Sequence, residues 1–405
     1  MRRYLVASSI LLACAGCGRQ AEPPAATTAT AAGGDAVAHL LQQLLDAKPG
    51  DVIEIPEGKF AIDRGLVLRA SGVTIRGAGM DKSVLSFKGQ KAGAEGLLVN
   101  GDDFTIEDLT IEDSIGDGLK VSESENITIR NVKVQWTGGP STKNGAYGLY
   151  PVLTKNVLIE GSISIGASDA GIYVGQSDGV IVRDSRAEQN VAGIEIENTR
   201  NADVYDNVAT GNTGGILVFN MPALSQQGGN IRVFGNKVIA NNHENFGAKG
   251  TPVASVPAGS GIVVNSNDDV EIFDNEVTDH NTANFIVSSV YSTGYKDQSM
   301  NAAFDPYPER IHIHDNKVSG GGESPDGLDL KALKLAVYGL RGRFPDVLWD
   351  GYANAKLAGG PQICLHGVNG VIDADGANHY KNPRQDLKPF DCTLPSLPAV
   401  DLKRD

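Results

Sequence analysis

Glu195 and Glu197 stand two apart in the run Gly193-Ile194-Glu195-Ile196-Glu197. On a strand such neighbours project from one face. Their carboxyls then lie roughly 5–9 Å apart, a range that admits retaining or inverting glycoside hydrolysis, or a cation site. Same-strand carboxylates point in parallel, whereas hydrolase carboxylates flank a bond, so the opposing group must come from loops or from Asp169. Lyase or epimerase chemistry on a uronate asks instead for a base beside the carboxylate and a cation to neutralise it. Lys120 or Lys143 could serve as that base and Tyr147 or Tyr150 as proton donor, and Ca²⁺ is the one cofactor the pattern admits. Tyr150 and Tyr173, with Asp169, Phe219 and Asn265, form the candidate binding set. Aromatic faces beside carboxylates suit sugar rings. Paired aromatics that merely brace neighbouring strands are the plainer alternative.

These residues share a surface only if the chain is periodic, and it is. A Gly-hydrophobic-x-Val/Ile phrase recurs at Gly118, Gly171, Gly193, Gly215 and Gly261, and the glycines at 171, 193 and 215 are 22 residues apart. Periods of this size mark stacked units that cannot bury a face alone. Each Gly phrase is followed by a second β phrase, such as Ile127-Thr128-Ile129 or Val180-Ile181-Val182, then a two-residue corner and a third phrase. No helix-length apolar stripe separates them. The prediction is an all-β solenoid, a parallel β-helix with three strands per coil of about 22 residues. Like strands then stack about 4.8 Å apart. At the corners stand Asn131, Gly161, Asp184, Asp206, Gly235, Asp274 and Asp315, types that tolerate left-handed backbone. Asn207, Asn236, Asn275 and Asn316 follow in one column and are expected to hydrogen-bond along it.

Alternation makes Lys120, Tyr150, Tyr173, Glu195, Leu217 and Val263, and Glu197, Phe219 and Asn265, the outward floor of the first-strand sheet. Coil-length excesses fall at 136–144, 221–229, 241–260 and 291–309, all bordering that sheet. Loops on both flanks would wall a groove. His312 and His314 face outward from a second strand, but no third ligand is visible, so they read as surface decoration and no metal centre is expected.

A formal charge of −14 disfavours nucleic acid and anionic membrane faces as partners. Arg2 and Arg3 precede an apolar run ending Ala13-Cys14-Ala15-Gly16-Cys17, which reads as a secretion signal resembling a bacterial lipobox. The expected lipidation site is Cys17 or Cys14, facing the periplasm, on the outer membrane rather than the inner. The only membrane contact expected is that lipid anchor. Residues 1–17 are then signal, 18–34 a flexible tether, 35–50 a capping helix with Asp35 as N-cap, 51–322 the β-helix, and 323–405 a C-terminal cap or tail. Cys364 and Cys392 remain beyond the signal, and an oxidising periplasm predicts a disulfide between them.

The helix followed by Ala47-Lys48-Pro49-Gly50-Asp51-Val52-Ile53-Glu54-Ile55-Pro56-Glu57-Gly58-Lys59-Phe60 and the coils resembles the pectate-lyase-like right-handed parallel β-helix superfamily. Residues 144–150, 168–175 and 192–198 are similar to a group of bacterial parallel β-helix repeat-containing (lipo)proteins. That resemblance covers roughly residues 35–400 and implies right-handed coils. It also implies a secreted c-type cytochrome-like partner, since such proteins are often encoded side by side. The Lys and Arg pair of β-helix alginate lyases is not evident, and the Asn-Thr-Asp, Asp-Asp and Gly-His-Gly motifs of polygalacturonases are missing. The expectation is an envelope-anchored carbohydrate-binding protein, acting on polysaccharide as a lyase, an epimerase or a hydrolase. A non-catalytic scaffold serving the cytochrome-like partner is the alternative.

Overall fold

The computed structural model describes residues 30–293 and 299–403. The signal, Cys14, Cys17 and most of the tether lie outside the described residues. The chain is a parallel β-solenoid of about 12 turns. Eleven first strands, from Arg64–Leu68 to Val371–Asp373, form one sheet. Second and third strands join in a 19-stranded sheet, because strands such as Thr105–Glu112 and Glu125–Gln135 pass their corner unbroken. Inward residues, among them Ile172, Val174, Ile194, Ile196, Ile216 and Val218, are fully buried in a continuous core.

The recurrent glycine of the first-strand phrase has a steric cause. A Cβ at Gly118, Gly148, Gly171, Gly193 or Gly215 would stand 2.5–2.9 Å from the carbonyl oxygen of the next glycine in the column. The rungs are packed too closely there for any side chain. At the corners, Asn131, Gly161, Asp184, Asp206, Gly235, Asp274 and Asp315 all have φ between 50° and 65°. The following asparagines form the expected ladder. Asn207 Nδ2 donates to Asn236 Oδ1 (3.0 Å), Asn236 to Asn275 (2.9 Å) and Asn275 to Asn316 (2.9 Å). A second ladder, Asn190 to Asn212 to Asn241, ends on His280 Nε2 at 3.1 Å. Burial pushes His280 down to about 4, so the ring is neutral and serves the ladder.

The ends differ from the expected boundaries. Helix α1 spans Thr30–Asp46, so Asp35 sits within it and not at its cap; Leu40 and Leu44 seal the open core. The coils continue past residue 322, since Val347–Trp349, Ile363–Leu365 and Val371–Asp373 pair in parallel with preceding rungs. Helix α2 (Leu328–Tyr338) is therefore an insertion before a first strand, not an end cap. Cys364 and Cys392 form the disulfide. The tail beyond it folds back along the second strands, where Leu397 N donates to Glu271 Oε2 and Val400 N to Asp203 Oδ2.

Candidate functional site

Register stacks the predicted residues as alternation required. Tyr150 pairs with Lys120, Tyr173 with Glu195, and Glu195 with Leu217. Beside them, Gly175 pairs with Glu197, Glu197 with Phe219, and Phe219 with Asn265. The rings of Tyr147, Tyr150 and Tyr173 meet with centroids 4.4, 4.5 and 5.0 Å apart. Lys120 Nζ lies 4.9 Å from the Tyr150 ring centroid, a cation–π distance. The Tyr173 hydroxyl donates to Glu197 Oε1 at 2.6 Å. Gly175 permits this, because a Cβ there would stand 2.4 Å from the Tyr173 ring. The phenol lies over the glycine and reaches the next rung.

Burial sets the electrostatics. Asp169 is 9% exposed; desolvation, then the charges of Glu197 and Asp117, push it up to about 8. Desolvation lifts partly buried Glu197 to about 7 even though the Tyr173 hydroxyl supports its ionised form. Glu195, 3% exposed, is held well above the carboxylate range by burial, then by Asp169 and Glu197, and its Oε2 has no hydrogen-bond partner. Burial also raises the Tyr147 and Tyr173 phenols, which stay protonated. Burial thus raises all three acidic side chains above the ordinary carboxylate range, beside phenols that stay protonated and can donate to them. Such a set can supply an acid and a base at one place.

Asp117, lifted to about 6 by burial, belongs to this cluster, and its Oδ1 accepts from the Tyr147 backbone N–H at 3.2 Å. The sequence reading missed it. Strict alternation hides it, since Asp117 shares the parity of inward Leu119 and Val121; the strand departs from alternation at Gly118, whose missing Cβ would point at core Val134.

Two expectations need correction. The floor is not openly exposed, since Tyr173 keeps only 5% of its surface. Val253 and Val256 from the 241–259 insertion, with Leu330, Leu333 and Val337 of α2, join a second apolar cluster over Tyr173, Leu217, Phe219 and Val263. Tyr147, Tyr150 and Lys120 remain partly accessible. Lys143 is exposed on its loop, and its ammonium makes no hydrogen bond or ion pair among the described residues, so it is not gathered into the cluster. The inserted loops are joined to one another on both flanks. Thr142 Oγ1 donates to Phe246 O (2.9 Å) on one side, and Asn301 N to Pro222 O (2.8 Å) on the other.

Phe219 and Asn265 line a cavity of about 1080 Å³ whose walls include α2 and residues 254–257. Phe219 stands one rung from Glu197, although Asp169, Glu195 and Glu197 do not themselves line this cavity. Among the other histidines, His243 stacks edge-on with Phe246, and His312 and His314 lie on the other sheet.

The family model described as right handed beta helix region matches residues 95–249 and 142–295. Among solved structures, the polygalacturonase of Erwinia carotovora aligns with a TM-score of 0.51 at 11% identity, covering 71% of this chain and 90% of that one. A mannuronan C-5 epimerase A-module of Azotobacter vinelandii aligns with a TM-score of 0.49 at 17% identity, covering 78% and 86%. No curated protein matches the chain in sequence.

Proposed function

Because the chain belongs to the pectate-lyase-like right-handed parallel β-helix superfamily, we propose that it binds a polysaccharide along the first-strand face and performs proton-transfer chemistry on it. The supporting observation is the set of desolvated carboxyls, Asp169, Glu195 and Glu197, gathered beside Tyr147 and Tyr173 one rung from a cavity lined by Phe219. Buried acids with displaced titration are costly to fold and cluster at functional sites. In this reading Glu197 is the base and a protonated Glu195 or Asp169 the acid. Tyr150, Phe219 and Asn265 hold sugar rings, Tyr173 positions Glu197 from beneath, and Lys120 lies beside Tyr150. Glu197 and the protonated acids around it offer a uronate carboxylate only the single cation of Lys120, which favours a neutral sugar and hydrolase-type chemistry over the lyase or epimerase course unless Ca²⁺ intervenes. Export and lipid anchoring at Cys17 or Cys14 complete the proposal.

Purified protein is to be assayed on neutral and uronate polysaccharides, with and without Ca²⁺, for reducing ends and for unsaturated products. Turnover lost in Glu197→Gln with glycan retention kept supports the reading; no retention and no turnover across the panel overturns it. The low exposure of Tyr173 and Glu195 favours one second reading, a non-catalytic scaffold in which the cluster is structural. Co-purification of a c-type cytochrome-like protein together with an inert glycan panel would select it.

A further inference from the structure

The second-strand face carries an arrangement that the carbohydrate site does not use. On adjacent rungs, Glu271 pairs in register with His312, and His314 stands two residues along the same strand. One ligand atom from each of Glu271, His312 and His314 falls within 4.8 Å of the others. Glu271 is 4% and His312 7% exposed.

Three details mark these side chains as a set of cation ligands. Neither ring nitrogen of His312 has a hydrogen-bond partner, although the side chain is more than nine-tenths buried. A buried imidazole left so is unfavourable unless something binds it. Next, His314 Nδ1 lies 2.7 Å from Asp315 Oδ2 and its Nε2 lies 3.2 Å from Glu271 Oε1. With the Nδ1 proton donated to Asp315, the Nε2 lone pair faces a carboxylate oxygen. Two acceptors face to face require a proton or a metal ion between them. Finally, both outer partners are fixed. Asp315 orients His314 as carboxylates orient metal-bound histidines, and Leu397 N holds Glu271 Oε2 at 2.9 Å. His314 also ends a stacked ring column with Phe273, centroids 5.4 Å apart. That stacking accounts for its ring plane but for neither nitrogen of His312. Arg232 sits one rung away on the far side of Glu271 and is turned to Asp203 and the Phe234 ring.

We propose that Glu271, His312 and His314 bind a divalent transition-metal ion of borderline softness, with Zn²⁺ the representative case. Two imidazoles and one carboxylate suit such ions and leave a coordination position open. The site is independent of the carbohydrate reading. It lies on the other sheet and joins the last coils to the returning tail through Leu397.

The test uses the exported chain, without an affinity tag containing histidine, stripped with EDTA and dialysed. Zn²⁺ is titrated against a chromophoric chelator, and Co²⁺ is used to read the visible ligand-field spectrum. The expected result is equimolar binding in the micromolar range or tighter, with a Co²⁺ spectrum of low coordination number. Glu271→Gln keeps the shape and hydrogen-bonding reach of the side chain, and His312→Ala removes the unpartnered ring. Each should weaken binding at least about 10–100-fold, the loss seen even for outer partners. Thermal unfolding in EDTA establishes that each variant is folded. Absence of Zn²⁺ binding by the wild type overturns the proposal. So does binding of equal strength in both variants, which would locate the ion elsewhere, for instance at the Asp268, Asp305 and Glu309 cluster.

Discussion

Replacing Glu197 by Gln should make the fold less sensitive to alkali, and the size of the effect follows from the site. Burial lifts this carboxyl from its ordinary value of 4.5 to about 7. Below pH 4.5 it is protonated in folded and unfolded chains alike, and its full contribution favours the fold. As pH rises through about 7 that contribution is lost, because the unfolded chain releases the proton first. At about 1.36 kcal/mol per pH unit, the interval corresponds to about 3 kcal/mol. Asp169 and Glu195 share protons with Glu197, so about 3 kcal/mol is a ceiling, and a loss above about 1 kcal/mol sustains the reasoning. Glutamine imitates the protonated carboxyl and still accepts from the Tyr173 hydroxyl. Urea unfolding of wild type and variant, compared at pH 4.5, 6 and 8, isolates the acidic cluster, since titrations remote from it cancel in the difference. The variant should gain on the wild type as pH rises. A difference independent of pH, or one that shrinks towards pH 8, would refute the account of a desolvated acid at this position.

Other outcomes follow from neighbouring features. Asn236→Ala removes an amide that donates to Val204 O and Asn275 Oδ1 and accepts from Asn207 N and Nδ2. The orphaned groups should cost about 3–5 kcal/mol in denaturant unfolding, whereas Asn230→Gly, at an exposed positive-φ position early in the strand Gly229–Phe234, should cost under about 1 kcal/mol. Gly175→Ala should displace the Tyr173 ring and break its bond to Glu197, and a rise in the Glu197 titration midpoint by NMR would report it. Opening the Cys364–Cys392 link, whose partners are 28 residues apart, should cost about 3–4 kcal/mol, read as a lowered unfolding midpoint on reduction.

The residues that repeat were legible, and those that interrupt the repeat were not. Gly171, Gly193 and Gly215 announced the rung spacing because only glycine fits the close approach they make. Asn207 and its successors announced the ladder because a spare amide donor meets a spare acceptor one rung above. Tyr150 and Tyr173 could be stacked on paper for the same reason. Their covering could not. It depends on the 241–259 insertion and α2 folding over the sheet, contacts between segments of unrelated sequence. The last coils were hidden too, since strands of three residues, such as Val347–Trp349, separated by long insertions leave no period to count. Glu271 was missed beside His312 and His314 because the rung between them is 41 residues long rather than 22.

Successive ladder asparagines are separated by 29, 39 and 41 residues along the chain, yet each is one hydrogen bond above the last. Stair height is thus uncoupled from the length of chain spent on each step. New segments can be spliced in at the flanks of such a scaffold without disturbing the treads below. Variation in what it recognises can therefore accumulate in the inserts while the staircase itself stays unchanged.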